Sequence, residues 1–166
     1  MAILDIRKYP DPVLKQEASS VPAIDATVRK LLEDMAETMY AADGIGLAAP
    51  QVGISQRIAV VDVSEARNEL MVFINPEITA RAGKTPSEEG CLSIPDFRDT
   101  ITRSETVTVN SLNAKGEEQV LEAGGLLAIC LQHEIDHLDG ILFVDHLSRL
   151  KREFFKRWLK KRQESE

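Results

Sequence analysis

The sequence predicts an α+β fold of short antiparallel strands packed around a central helix. Three observations lead there. Several short β-like runs are interleaved with only a few helical segments, and no regular strand-helix-strand alternation is present. The most apolar helical stretch, Leu126 to Leu138, runs directly into a polar His-Glu-x-x-His cluster. The 166 residues are 43% hydrophobic and 28% charged, which suits one domain with a single sizeable core.

The elements follow in chain order. From Asp25 to Ala42, Val28, Leu31, Leu32, Met35 and Met39 recur at helical spacing, with Asp25 as N-cap and Gly44 as the stop. A glycine-rich loop, Gly44-Ile45-Gly46-Leu47-Ala48-Ala49-Pro50-Gln51, comes next. Two β-like runs follow, Arg57 to Val63 and Leu70 to Asn75, the second stopped by Pro76. Thr106 to Leu112 and Glu118 to Leu121 form a hairpin across Asn113-Ala114-Lys115-Gly116. The second helix spans Leu126 to Leu138 and closes at Gly140. A last helix begins at about Asp145, with Leu147, Leu150, Phe154 and Trp158 on one face. Residues 1–148 are expected to form a single catalytic domain, and 149–166 a basic helical extension of it.

Composition narrows the setting. No apolar run is long enough to cross a bilayer, and Met1 to Pro10 does not read as a signal peptide. Two cysteines are too few for a disulfide scaffold, which favours a reducing, intracellular setting. The net charge is −7, yet residues 149–166 hold eight Lys and Arg against three Glu, a local +5. An acidic body with a basic tail points to an anionic partner for the tail.

His133-Glu134-Ile135-Asp136-His137 carries the sharpest chemical signal. On a helix, residues four apart lie roughly 40° apart in azimuth and about 6 Å along the axis. Two imidazoles so placed converge on one ion, and Glu134 stands ready as a general base. Burying these groups without partners costs several kcal/mol, roughly, and a cation compensates directly. A catalytic metal normally has three protein ligands and one open position. The zinc-protease continuation fails here: Gly140 fits it, but Phe143 stands where the third His belongs. Glu153, His146 and Cys91 remain as candidates. Cys91, in Glu89-Gly90-Cys91-Leu92-Ser93, is favoured because a thiolate binds metal strongly and Gly90 permits unusual backbone angles and close approach. A lone cysteine reads equally well as a small buried apolar residue, and Cys130 fits that reading better.

Helical phase adds a binding surface. Leu126, Ile129, Cys130, His133 and His137 fall on one stripe, so apolar side chains share the face of the metal ligands and suit an unbranched apolar substrate group. Taken singly, each is equally explained by core packing. The Gly44–Gly46 loop lacks the lysine of a phosphate-binding loop, whereas an extended Ile45-Gly46 backbone can pair with a peptide.

Three segments, Gly44 to Gln51, Glu89 to Ser93 and Gln132 to Leu138, resemble in order the three motifs of the peptide deformylase family, and the similarity runs from about Ile3 to Leu150. The resemblance implies removal of the formyl group from formylmethionyl nascent peptides by a cytoplasmic monomer. It implies one divalent ion on Cys91, His133 and His137, usually Fe(II), with Zn, Ni or Co able to occupy the site. Ligand chemistry alone favours zinc. By the same resemblance the ion would supply hydroxide for the attack, Glu134 would shuttle the proton, and the Gln51 amide and Leu92 backbone N–H would stabilise the oxyanion. Ile45, Gly46, Gly90, Leu126, Ile129 and Cys130 are then expected to bind substrate. Family precedent also sends the basic tail to the ribosome near the nascent-chain exit. Ser87 departs from the family pattern, which more often has a larger apolar residue near the methionine pocket, and His146 stands where an aromatic is common. Two other classes compete: a general zinc endopeptidase using a ligand such as Glu153, and a metal-stabilised RNA-binding module built on the tail.

Overall fold

In the computed structural model, which describes residues 2–164, seven strands and three α-helices form the α+β architecture. Helix α1 spans Ala26–Ala41, with the Asp25 carboxylate accepting from the Val28 N–H as predicted. Strands β1 (Gly46–Ala48), β2 (Ile58–Val61) and β3 (Met71–Ala82) precede a hairpin of β4 (Thr85–Cys91) and β5 (Ile94–Arg103). Strands β6 (Thr106–Leu112) and β7 (Glu118–Gly124) lead into helix α2 (Gly125–Leu138), and helix α3 (Arg149–Glu164) closes the described chain. Ser165 and Glu166, the end of the predicted basic extension, lie outside the described residues, as does Met1.

The larger sheet has the order β1-β2-β3-β6-β7, antiparallel throughout, while β4 and β5 pair with each other. Strand alternation gives the larger sheet a separate apolar core on each face. Ile58, Val60 and Ile74 pack with Val28, Leu32, Met35 and Met39 of α1. Val61 and Phe73 instead meet Ala128, Leu131 and Ile135 of α2. Helix α2 is thus held against the sheet along its length. It ends at Gly140, whose φ of +74° and close approach to the Lys15 carbonyl exclude a side chain; a Cβ there would lie 2.5 Å from that oxygen.

The structure departs most from the predicted elements in three places. β3 does not stop at Pro76; it continues to Ala82. The missing N–H falls in a register shift between Ile74 and Glu77, where the ladder to β6 is already interrupted, and Asn75 takes a φ of +52°. The β4–β5 hairpin was not anticipated at all, because Thr-Pro-Ser-Glu-Glu-Gly-Cys is poor in strand formers. Pairing with β5 from Thr85↔Arg103 to Gly90↔Arg98 imposes the extended form.

The third concerns the C-terminal helix. Residues Phe143–His146 form a separate 3₁₀ turn, Leu147 is extended, and α3 begins only at Arg149. The buried face therefore differs from the predicted one. Leu150 and Phe154 are 66% and 55% exposed, whereas Phe155 is 3% exposed. Phe155 contacts Tyr9 and Phe97 at ring-centroid distances of 5.4 and 4.8 Å, with Trp158 beside Phe97 at 5.0 Å. Lys151 and Arg162 pair with Asp99 and Asp96 of β5. No described helix is long and apolar enough to cross a membrane.

Phe155→Ala should destabilise the fold by about 3–5 kcal/mol. Phe154→Ala should change stability by less than about 0.5 kcal/mol. Urea unfolding of the two variants distinguishes the observed face from the predicted one.

Candidate metal centre

Helix α2 presents His133 and His137 one turn apart, as the spacing requires. Cys91 arrives from elsewhere: it is the last residue of β4, and the tight turn at Leu92-Ser93 delivers it over the helix. Cys91 Sγ lies 3.4 Å from His137 Nε2, and the two Nε2 atoms lie 3.2 Å apart. Among the described residues these three form one group whose ligand atoms fall within 4.8 Å of one another. Such a thiolate–imidazole set around a common point fits a single cation.

His133 Nδ1 faces Glu89 Oε1 at 3.0 Å, which fixes the ring and aims Nε2 inward. Burial by itself would lower the His133 pKa, but hydrogen bonds to Cys91 and Glu89 raise it well above the usual imidazole value. A cation on Nε2 displaces that proton. Burial and the neighbouring His133 push His137 well below its usual value, into the neutral form that binds metal.

Glu134 is 5% exposed, and its Oε1 has no hydrogen-bond partner among the described residues. Burial pushes its carboxyl up to about 7. The other oxygen lies against the chain at Gly46, where a Cβ would come within 2.5 Å of it and 2.8 Å of Cys130 Sγ. Glycine at 46 is what lets the carboxylate approach the edge strand.

Gln51 sits in a 3₁₀ turn, Ala49–Val52. Its Oε1 accepts from the Ala48 N–H at 2.9 Å, which turns the amide nitrogen toward Ser93 Oγ at 3.3 Å and Cys91 Sγ at 3.6 Å. A cleft of about 900 Å³ opens beside these groups, lined among others by Ile45, Gly46, Leu92, Leu126, Ile129 and Glu134. Cys130 lines it too; its thiol donates to the Ile45 carbonyl and is pushed up by burial. Gly90 also lines the cleft, but its φ is not positive. What it permits is the close approach of the Arg98 side chain, not an unusual backbone angle. Every residue assigned to the deformylase-type site thus borders one cavity except His137, which contacts Cys91 and His133.

The residues that sequence reasoning missed form the support. Arg103, 5% exposed, binds Glu89 through two hydrogen bonds of 2.8 Å. Its Nη1 reaches Asp136 at 2.6 Å, and Asp136 also holds His146 at 2.8 Å. Burial alone would raise Glu89, but Arg103 and His133 hold it at about 2, so it stays ionised behind the ligand. Glu89 stood within a quoted motif and could have been flagged. Arg103 could not, since only the unpredicted hairpin brings it here. His146, given no role from sequence, belongs to this network and not to the ligand set. Glu153 is exposed and pairs with Lys156, so the endopeptidase ligand set does not assemble.

A site of this kind, three protein ligands plus a buried carboxylate at the wall of an open cleft, defines a metal-dependent hydrolase. The polypeptide deformylase family profile matches residues 3–153. A peptide deformylase of Neisseria meningitidis is 55% identical over 163 residues, covering 98% of each chain. The crystal structure of a peptide deformylase from Legionella pneumophila superposes with a TM-score of 0.93 at 47% identity, covering 98% of this chain and 96% of that one. One from Ehrlichia chaffeensis, in complex with actinonin, gives 0.92 at 41% identity and 98% coverage of both. The chain belongs to the peptide deformylase family and acts as a metal-dependent hydrolase that removes N-terminal formyl groups.

Removing Arg103 leaves the buried Glu89 and the half-buried Asp136 without the cation they share. Arg103→Met should therefore destabilise the protein by about 3–5 kcal/mol and speed metal loss to a chelator. Unfolding and metal-release rates check this.

Proposed function

We propose that Cys91, His133 and His137 hold one divalent ion, with Glu134, Gln51 and Leu92 acting on the formyl group of a formylmethionyl peptide. The observation that carries this reading is the convergence of three ligand atoms beside a buried carboxylate oxygen that meets no donor among the described residues. When bound, the ion supplies Lewis acidity, lowering the pKa of water and polarising the formyl oxygen. Glu134 takes the proton of the attacking water and returns it to the departing amine nitrogen as the formyl C–N bond breaks. A pKa near 7 suits both halves of that transfer. The Gln51 amide and the Leu92 backbone N–H donate to the oxygen that gains charge, each worth about 3 kcal/mol.

Strand β1 is an edge of its sheet, and Ile45 and Gly46 offer their backbone there to an extended substrate, with Gly90 across the cleft. Leu126, Ile129 and Cys130 receive the methionine side chain. The ion in the cell is Fe(II), as the family resemblance implies, with Zn, Ni or Co able to replace it. The protein works as a cytoplasmic monomer. Residues 1–148 form its catalytic unit, and 149–166 a basic extension of the same domain, a reading supported by the burial of Phe155 against Tyr9 and Phe97. The exposed cations of α3 dock on ribosomal RNA near the nascent-chain exit.

Glu134→Gln should lower turnover of formyl-Met-Ala by about 10²–10⁴-fold with the metal retained. The parent should leave a blocked internal peptide uncut. A variant within tenfold of the parent (~1.4 kcal/mol) would sink the assignment of Glu134. For the tail, reversing Arg152, Arg157 and Lys160 to Glu should weaken ribosome co-sedimentation, most clearly at low salt; undiminished co-sedimentation removes that docking.

A further inference from the structure

The inward face of β4 carries one group that the mechanism does not use. Side chains alternate along a strand, so Ser87, Glu89 and Cys91 share a face. Cys91 and Glu89 both contact the ligand histidines. Ser87 stands two residues earlier, about 6.6 Å further along the strand. On α2, Ile129 stands one turn before His133, about 6 Å along the axis. Each thus lies one step along its own element from the residues around the metal ligands, and both line the cleft. Ser87 is 7% exposed, and none of the described residues hydrogen-bonds its hydroxyl.

That combination leaves the hydroxyl available to an occupant of the cleft. An occupant displaces water from Ser87, so one that supplies an acceptor avoids leaving the hydroxyl unpaired. Ile129, Cys130 and Leu126 supply the apolar side of the pocket, and Ser87 adds a donor. A side chain of methionine's length ending in a strong acceptor satisfies both. Methionine sulfoxide is such a side chain, since oxidation adds one acceptor oxygen to the sulfur without lengthening the chain.

We propose that Ser87 is a specificity-determining residue, through which the cleft takes formyl-peptides beginning with methionine sulfoxide as well as methionine. The proposal rests on the assignment of Leu126, Ile129 and Cys130 to the first side chain. The Ser87 hydroxyl donates to the sulfoxide oxygen. The reaction is the same hydrolysis, and the sulfoxide is carried through unchanged. Discrimination against the oxidised residue is then weak, because its added polarity is matched and not left unpaired.

The test compares kcat/KM for formyl-Met-Ala, formyl-norleucyl-Ala and formyl-methionine-sulfoxide-Ala on the same metal-loaded enzyme. Norleucine keeps the length and lacks the acceptor. The parent should turn over the sulfoxide peptide within about tenfold of the norleucine peptide, and Ser87→Ala should lower that ratio about three- to tenfold. Ser87→Thr, which keeps the hydroxyl, should preserve it. An equal ratio in the parent and Ser87→Ala overturns the proposal. Should Ser87→Ala fail to fold, the parent alone decides, since a sulfoxide rate roughly a hundredfold below norleucine is what a purely apolar pocket gives. Ile129→Trp separates the two levels of inference. Slowing of all three peptides supports the pocket assignment, and an unchanged rate on all three overturns that assignment and the proposal with it.

Discussion

The Arg103 guanidinium is the tie on which the site depends. It grips Glu89 with two hydrogen bonds and Asp136 with a third, and each carboxylate sits beside a different part of the ligand set. Glu89 orients His133 and lies on the strand that ends in Cys91. Asp136 lies on α2 immediately before His137. One buried cation thus fastens the cysteine-bearing hairpin to the histidine-bearing helix. Such a buried ion cluster is poor evidence of net stability, because desolvation opposes the attraction. Its planar, bidentate geometry instead fixes where each ligand stands.

The remainder of the site follows from how closely backbone and carboxylate can approach. Gly46 places the edge of the large sheet against Glu134, and Cys130 packs into the same gap. Burial raises the Glu134 carboxyl, and the Gly46 backbone is part of what covers it. Gln51 is turned by the Ala48 N–H, so its amide reaches over Cys91 without a long flexible search. His133 and Gln51 are held by a buried carboxylate and a backbone N–H, and the roles proposed for them gain from being fixed in advance. That is the preorganisation on which electrostatic catalysis depends.

Reading the chain as a sequence recovered α1, the β6–β7 hairpin and α2, because each has a dense local pattern: an aspartate cap before a 3.6-residue apolar repeat, a glycine-bearing turn between alternating runs, a long apolar helix closed by glycine. It failed where local pattern and final state disagree. Thr85–Cys91 is extended only because β5 pairs with it, and Pro76 is tolerated only because a bulge absorbs its missing donor. The phase of α3 was misjudged by starting it too early. A helix that begins at Arg149 turns Phe155 inward and leaves Phe154 in solvent.

The amino-acid order alone determined the paired histidines, the carboxylate between them and the apolar stripe that continues their helix, since all of these are neighbours through a single helical repeat. The third ligand, its supporting ion pairs and the unpartnered hydroxyl at Ser87 were decided by tertiary structure. They lie tens of residues from the histidines along the chain, on a hairpin with little strand propensity of its own, and meet the helix only after the sheet has packed. Local periodicity reports what one element does with its own residues; the coordination sphere is built where two elements touch.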